Sequence, residues 1–274
     1  MAPSAATVRN MLSMFQDSTG STERTANKFL KSTGYNLNQA VDLYFQTTNT
    51  EPRQNPVVPK LEKLFDSLRD AQDAQNEMGL DAVMKYLSED LSLSIENAEL
   101  LVAMELVQAP SVGEITRTGF VNGWKDTGCE PNLKAQSKHV SNLAKSLSTN
   151  SDLFKNVYKH TFVCAREKDQ KALSLENALT YWEVLFSPPG WEWKGAKHDW
   201  FQLWKQFLAE KWTRSVNKDM WNMTLNFATK SVEDETLSFW SEDGAWPSVI
   251  DDFVAWCKEK GVVKANEAME VDDS

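Results

Sequence analysis

The sequence predicts an all-α protein in two parts, a small three-helix domain followed by a larger helical one. Apolar residues recur at three- and four-residue spacing through most of the 274 residues, and no long run alternates like a half-buried strand. Residues 47–59 hold three prolines and almost no helical periodicity, which reads as an extended linker. At 41% hydrophobic and 25% charged, the chain has the composition of an ordinary globular protein.

The first helix of the small domain gathers Val8, Met11, Leu12 and Phe15 on one face. The second, over residues 22–33, does the same with Ala26, Phe29 and Leu30. The third, over 36–46, presents Leu37, Ala40, Val41 and Tyr44, and Asn36 can accept from its free N–H groups as a cap. Three short helices ending in N-L-N-Q-A-V-D-L-Y-F resemble a ubiquitin-associated (UBA-like) domain, placed at 7–47 with a linker over 48–59. The Met-Gly-Phe loop usual after the first helix of that family is absent. Gln16-Asp-Ser-Thr-Gly-Ser stands there instead, which leaves ubiquitin binding open.

In the larger part, over 60–262, Phe154, Tyr158 and Phe162 stand at i, i+4 and i+8. Ser174 can cap a helix carrying Leu175, Leu179 and Trp182, and Asp199 can cap one lined by Trp200, Leu203, Trp204, Phe207 and Leu208. Trp221, Leu225 and Ala228 repeat the pattern further on. Eleven tryptophans, mostly on these apolar faces, read as core rather than as recognition surface. Residues 263–274 read as a disordered acidic tail.

Residues 68–87 have the cadence of an EF-hand, with a polar loop, a glycine and then a helix. Calcium needs oxygen ligands at alternating positions, a glycine at the turn and a closing glutamate. Counted from Asp73, the loop instead puts Met78 at the glycine position and Met84 where the glutamate belongs. Residues 113–120 resemble a matching strand and helix start, again without ligands. The expectation is EF-hand-like helix pairs lacking calcium ligands, and no cofactor.

The net charge of −10 argues against nucleic-acid binding, which needs clustered Lys and Arg, and suits either basic partners or solubility alone. No apolar run reaches the roughly 18–20 residues of a membrane span, since Glu105 interrupts the best candidate. With no basic and apolar leader at the start, and with three isolated cysteines, the expected location is nucleus and cytoplasm. His139, His160 and His198 form no local metal pair, and no G-x-S-x-G elbow or P-loop is present. Cys164 follows Thr161-Phe162-Val163, where a thiol is usually an inert core residue. Nothing here calls for an enzyme, and no catalytic residue is assigned.

N-K-D-M-W at 217–221 and D-G-A-W-P-S-V-I-D-D-F at 243–253 resemble the C-terminal signature of the defective-in-cullin-neddylation family. N-A-L-T-Y-W at 177–182 and F-Q-L-W-K-Q-F-L at 201–208 are similar to its preceding helices, so the potentiating-neddylation (PONY) domain would cover about 61–258. The resemblance implies a scaffold without catalytic side chains. It would hold the C-terminal winged-helix region of a cullin beside the conjugating enzyme, together with a RING subunit. The cullin-binding positions would be Asp219, Ala245 and Asp251, two carboxylates flanking a small residue in reach of a basic helix. Residues 231–253, rich in acids and free of Lys and Arg, suit that role. The conjugating enzyme's N-acetylated methionine would enter an apolar pocket mapped to Val83, Leu87, Leu100, Leu101, Ala103, Val112, Ile115, Cys164, Tyr181 and Val184. Acetylation removes the charge that such a pocket could not bury. A ubiquitin-binding adaptor acting through the UBA-like segment, a calcium sensor and a hydrolase are the competing readings.

Overall fold

The computed structural model describes residues 5–48 and 56–264. Most of the expected linker and of the expected tail, residues 49–55 and 265–274, lies outside the described residues. The chain divides into two compact units, Met1–Pro59 and Lys60–Ser274. Among the described residues there are only two-residue strands beside the helices, as an all-α chain requires.

The first unit is a bundle of α1 (Ala5–Thr19), α2 (Glu23–Ser32) and α3 (Leu37–Thr48). Phe15, Ala26, Phe29, Leu30 and Ala40 form its buried core, with Met11, Leu12, Val41 and Tyr44 packed around them. Tyr44 meets the rings of Phe15 and Phe29 edge-on, at centroid distances of 5.7 and 5.3 Å, the arrangement that ring quadrupoles favour. Asn36 accepts the Gln39 N–H at 3.2 Å, which caps α3. The expected loop from Gln16 is shorter than the sequence suggests. Helix α1 runs on to Thr19, whose hydroxyl donates to the Phe15 carbonyl, and Gly20 then turns the chain at a φ of 64°.

The second unit contains two helix–strand–helix pairs. The first consists of α4 (Val58–Leu68), β1 (Glu77–Met78) and α5 (Leu80–Lys85), then α6 (Ala98–Leu106), β2 (Ile115–Thr116) and α7 (Arg117–Asp126). Helix α4 begins at Val58, within the stretch read as linker, and takes Pro59 into its first turn, where a missing N–H costs nothing. β1 and β2 pair antiparallel, Met78 opposite Ile115. After α8 (Leu133–Ser146), the arrangement recurs. Here α9 (Ser151–Cys164), β3 (Ala172–Leu173) and α10 (Leu175–Leu185) face α11 (Trp200–Lys211), β4 (Val216–Asn217) and α12 (Lys218–Glu233), with Leu173 opposite Val216. Helix α13 (Ser248–Glu259) closes the unit against α11 and α12.

Ser174 and Asp199 cap α10 and α11 as their sequence predicts, accepting from Asn177 and Gln202 N–H at 3.1 Å. The buried face of α10 is Ala178, Trp182 and Leu185, one step round from the expected Leu175 and Leu179. Helix α6 is buried from Leu100 through Met104 on every side and packs on both α8 and α9, as an all-round apolar helix must. Two glycines of α7 bring it close to the end of α6. A Cβ on Gly119 or Gly123 would come within 2.2 Å of the Val107 carbonyl oxygen or 2.3 Å of that of Leu106. In the second pair, Trp182 and Trp221 stack at 5.2 Å with Tyr158 against them. The Tyr158 hydroxyl donates to the Trp221 carbonyl and accepts from the Trp182 indole, both at 2.8 Å.

Candidate functional site

The first of the expected acids lies where β4 turns into α12. The Asn217 side chain accepts the Met220 N–H at 2.8 Å, and this cap fixes the helix start so that Asp219 lies exposed in the first turn. A carboxylate there complements the positive helix end and faces solvent. Helix α13 packs beside α12, and Asp251 occupies its first turn. One oxygen of Asp251 accepts the Trp240 indole N–H at 2.9 Å. Ala245 lies exposed in the connection between the two helices.

That connection is folded by its own side chains. The Asp234 carboxylate accepts from the N–H and hydroxyl of both Ser238 and Thr236, and these bonds pull its pKa down to about 2. Leu237 is buried, and Trp246 and Phe239 pack on Phe227 of α12. Gly244 lies so close beneath Trp246 that a Cβ would meet the ring at 2.8 Å, which accounts for the glycine before Ala245 and Trp246. Ala245 thus lies in the folded connection between the two helices that carry the acids.

The ten apolar positions come from α5 and the π-helical turn after it (Val83, Leu87), α6 (Leu100, Leu101, Ala103), the segment ending in β2 (Val112, Ile115), the end of α9 (Cys164) and α10 (Tyr181, Val184). Val112, Tyr181 and Val184 are half-buried, and the other seven belong to the closed core. The Val112 N–H donates to the Cys164 carbonyl at 3.1 Å, which ties the first helix pair to the second. Burial, and secondarily the Cys164 thiol nearby, pushes the Tyr181 phenol up.

The cullin-binding family model matches residues 135–256, and a UBA-like domain model matches 9–51. A Pyricularia oryzae protein named "Defective in cullin neddylation protein 1" is 40% identical over 98% of this chain and 99% of its own length. A Yarrowia lipolytica protein of the same name is 33% identical over 88% of this chain and 93% of its own. This chain belongs to the defective-in-cullin-neddylation family. A Homo sapiens relative, "DCN1-like protein 5", is 32% identical over 64% of this chain and 69% of its own length.

The loop between α4 and β1 is spanned by protein groups. The Arg117 guanidinium donates to the Gln75 carbonyl at 2.6 Å, to Asn76 Oδ1 at 3.1 Å and to the Asp66 carboxylate at 2.5 Å, and it lies over the Phe65 ring. The Asp73 carboxylate, first in the expected loop, accepts the Asp70 N–H instead. Among the described residues, no three His, Cys, Asp or Glu side chains form a group able to hold a metal. No described helix is long and apolar enough to cross a membrane. Burial pushes the Cys164 thiol up to about 12 and the His160 imidazole below its ordinary value, so both stay neutral.

Sequence reasoning missed several surface features of this unit. Leu80, 59% exposed, touches Gly113 beside the seam, and Val163, 38% exposed, adjoins Cys164. A groove of about 860 Å³ between α9 and α12, lined by Phe154, Trp191 and Leu225 and edged by Lys155 and Lys159, includes none of the predicted residues.

Proposed function

We propose that this chain is a non-catalytic scaffold in cullin neddylation. It would hold a cullin's C-terminal winged-helix region on Asp219, Ala245 and Asp251, and the N-acetylated conjugating enzyme at the seam around Val112, Cys164 and Tyr181. The observation that carries this reading is the pair of carboxylates that start two adjacent helices, Asp219 on α12 and Asp251 on α13, the latter within a stretch, 231–253, without a basic residue. Lys and Arg of a partner helix could pair on both sides of Ala245, whose single methyl leaves room for close approach. Holding the two partners together would restrict their encounter and raise transfer of the ubiquitin-like modifier with no reacting group from this chain. A RING subunit would work beside it. The free thiols Cys129, Cys164 and Cys257 suit the reducing nucleus and cytoplasm.

A reconstituted transfer reaction tests this, with a cullin C-terminal region, its RING subunit and the charged conjugating enzyme. The wild-type chain should accelerate modification, and Asp219→Ala/Asp251→Ala should return the rate to that without the chain. Removing the acetyl group from the conjugating enzyme should weaken its binding, because an ammonium would then enter an apolar seam. Equal rates with and without the wild-type chain would overturn the proposal. Met14 and Leu43, exposed on the first unit, support a second reading in which that unit binds ubiquitin. Titration with ubiquitin, followed by the NMR signals of those helices, tests it.

A further inference from the structure

We infer that Trp240 is a positioning residue for the acidic face, acting through Asp251; the inference rests on the docking reading above. The Trp240 indole N–H donates to Asp251 Oδ1 at 2.9 Å, which fixes the carboxylate plane and leaves the second oxygen for a partner cation. The ring does a second job. Lys258, two turns further along α13 from Asp251, lies with its ammonium over the Trp240 ring, 4.4 Å from the centroid. Lys258 is the nearest basic residue in sequence to Asp251, and the aromatic face gives its charge a partner other than that carboxylate.

The loop also holds Trp240 in place. Its N–H donates to the Leu237 carbonyl at 3.1 Å, Leu237 is buried, and the Asp234 turn pins Thr236 and Ser238 just before it. The chain of support therefore runs from the Asp234 turn through Trp240 to the carboxylate that faces the partner. A partner's Lys or Arg would meet an acceptor already oriented, which lowers the ordering cost of binding.

The test is a double-mutant cycle read by calorimetric titration of a cullin C-terminal region. Trp240→Phe keeps an aromatic face for Lys258 and removes only the N–H. It should weaken binding about tenfold, the worth of one hydrogen bond to a charged group, with the melting temperature unchanged. In an Asp251→Ala background the same change should have no further effect. In the free protein, Asp251→Ala should shift the Trp240 indole resonance in the ¹H–¹⁵N spectrum. Equal losses with and without Asp251 would overturn the inference, because Trp240 would then act as a direct contact or through the general fold. An unmoved indole resonance would overturn it as well. Absence of cullin binding by the wild type would sink the docking reading itself, a different outcome from an additive cycle.

Discussion

In the first EF-hand-like pair, one guanidinium crosses between the two halves. Arg117, at the start of α7, reaches the Asp66 carboxylate at the end of α4 and the Gln75 and Asn76 oxygens of the first loop. In the second pair the matching first position of α12 is Lys218, and the loop arginine bonds within its own loop, as Arg69 does in the first pair. Arg166 donates to the Gln170 carbonyl of its own loop and lies over Phe162 of its own helix. There the crossing bonds lie in the core, where Tyr158 of α9 joins Trp182 of α10 and Trp221 of α12. The same helix–strand frame is thus locked at its loop on one side and at its centre on the other. Asp219 and Asp251 lie on the side with the aromatic centre, on α12 and α13.

The comparison breaks most easily at the centre. Trp221→Ala removes the ring stacked between Tyr158 and Trp182 and leaves the Tyr158 carbonyl without its indole donor. It should cost about 3–5 kcal/mol, measured by denaturant unfolding of the second unit. Arg117→Ala should cost less, about 1–3 kcal/mol, because its bonds lie at a partly solvated loop. Arg166→Ala should cost below about 1 kcal/mol, since it gives up a local bond and a ring contact. Equal costs for the two arginines would erase the distinction between the pairs. Hydrogen exchange would sharpen it, with Arg117→Ala opening β1 and β2 and leaving β3 and β4 protected.

The smallest expected effect is on acid sensitivity. The Arg117 hydrogen bond, aided by its charge, holds the Asp66 carboxyl below its ordinary value. A depressed carboxyl contributes stability above its unfolded pKa and loses it as pH falls through the folded one. The first pair should therefore loosen below the usual carboxylate range in wild type. Arg117→Ala should remove that component, so that its own unfolding depends less on acid there. An NMR titration of the α4 and α7 amides checks this.

Much of the helical frame was legible because its signals are local. Asn36, Ser174 and Asp199 each precede an apolar-periodic run, and each caps its helix. The first EF-hand-like pair could be read because a glycine and a polar loop stand before α5. The second could not, since no glycine precedes α10, where Ser174 stands at the helix start instead. The extension of α1 through Thr19 depends on a hydroxyl–carbonyl bond that competes with a turn reading. Asp219, Ala245 and Asp251 could be named from a motif, and the helix starts that hold the two acids are local features. Trp240 could not, because its bond to Asp251 exists only once the Asp234 turn has folded the connection.

The proposed role of Asp219 and Asp251 is to dock a basic cullin region. Calorimetric titration of a cullin C-terminal region into wild-type protein and into Asp219→Ala/Asp251→Ala tests it most directly. The account predicts tight binding by the wild type, weakened at least about thirtyfold by the double change, with melting temperatures alike. Equal affinity for the two proteins, or no binding by the wild type, would contradict it.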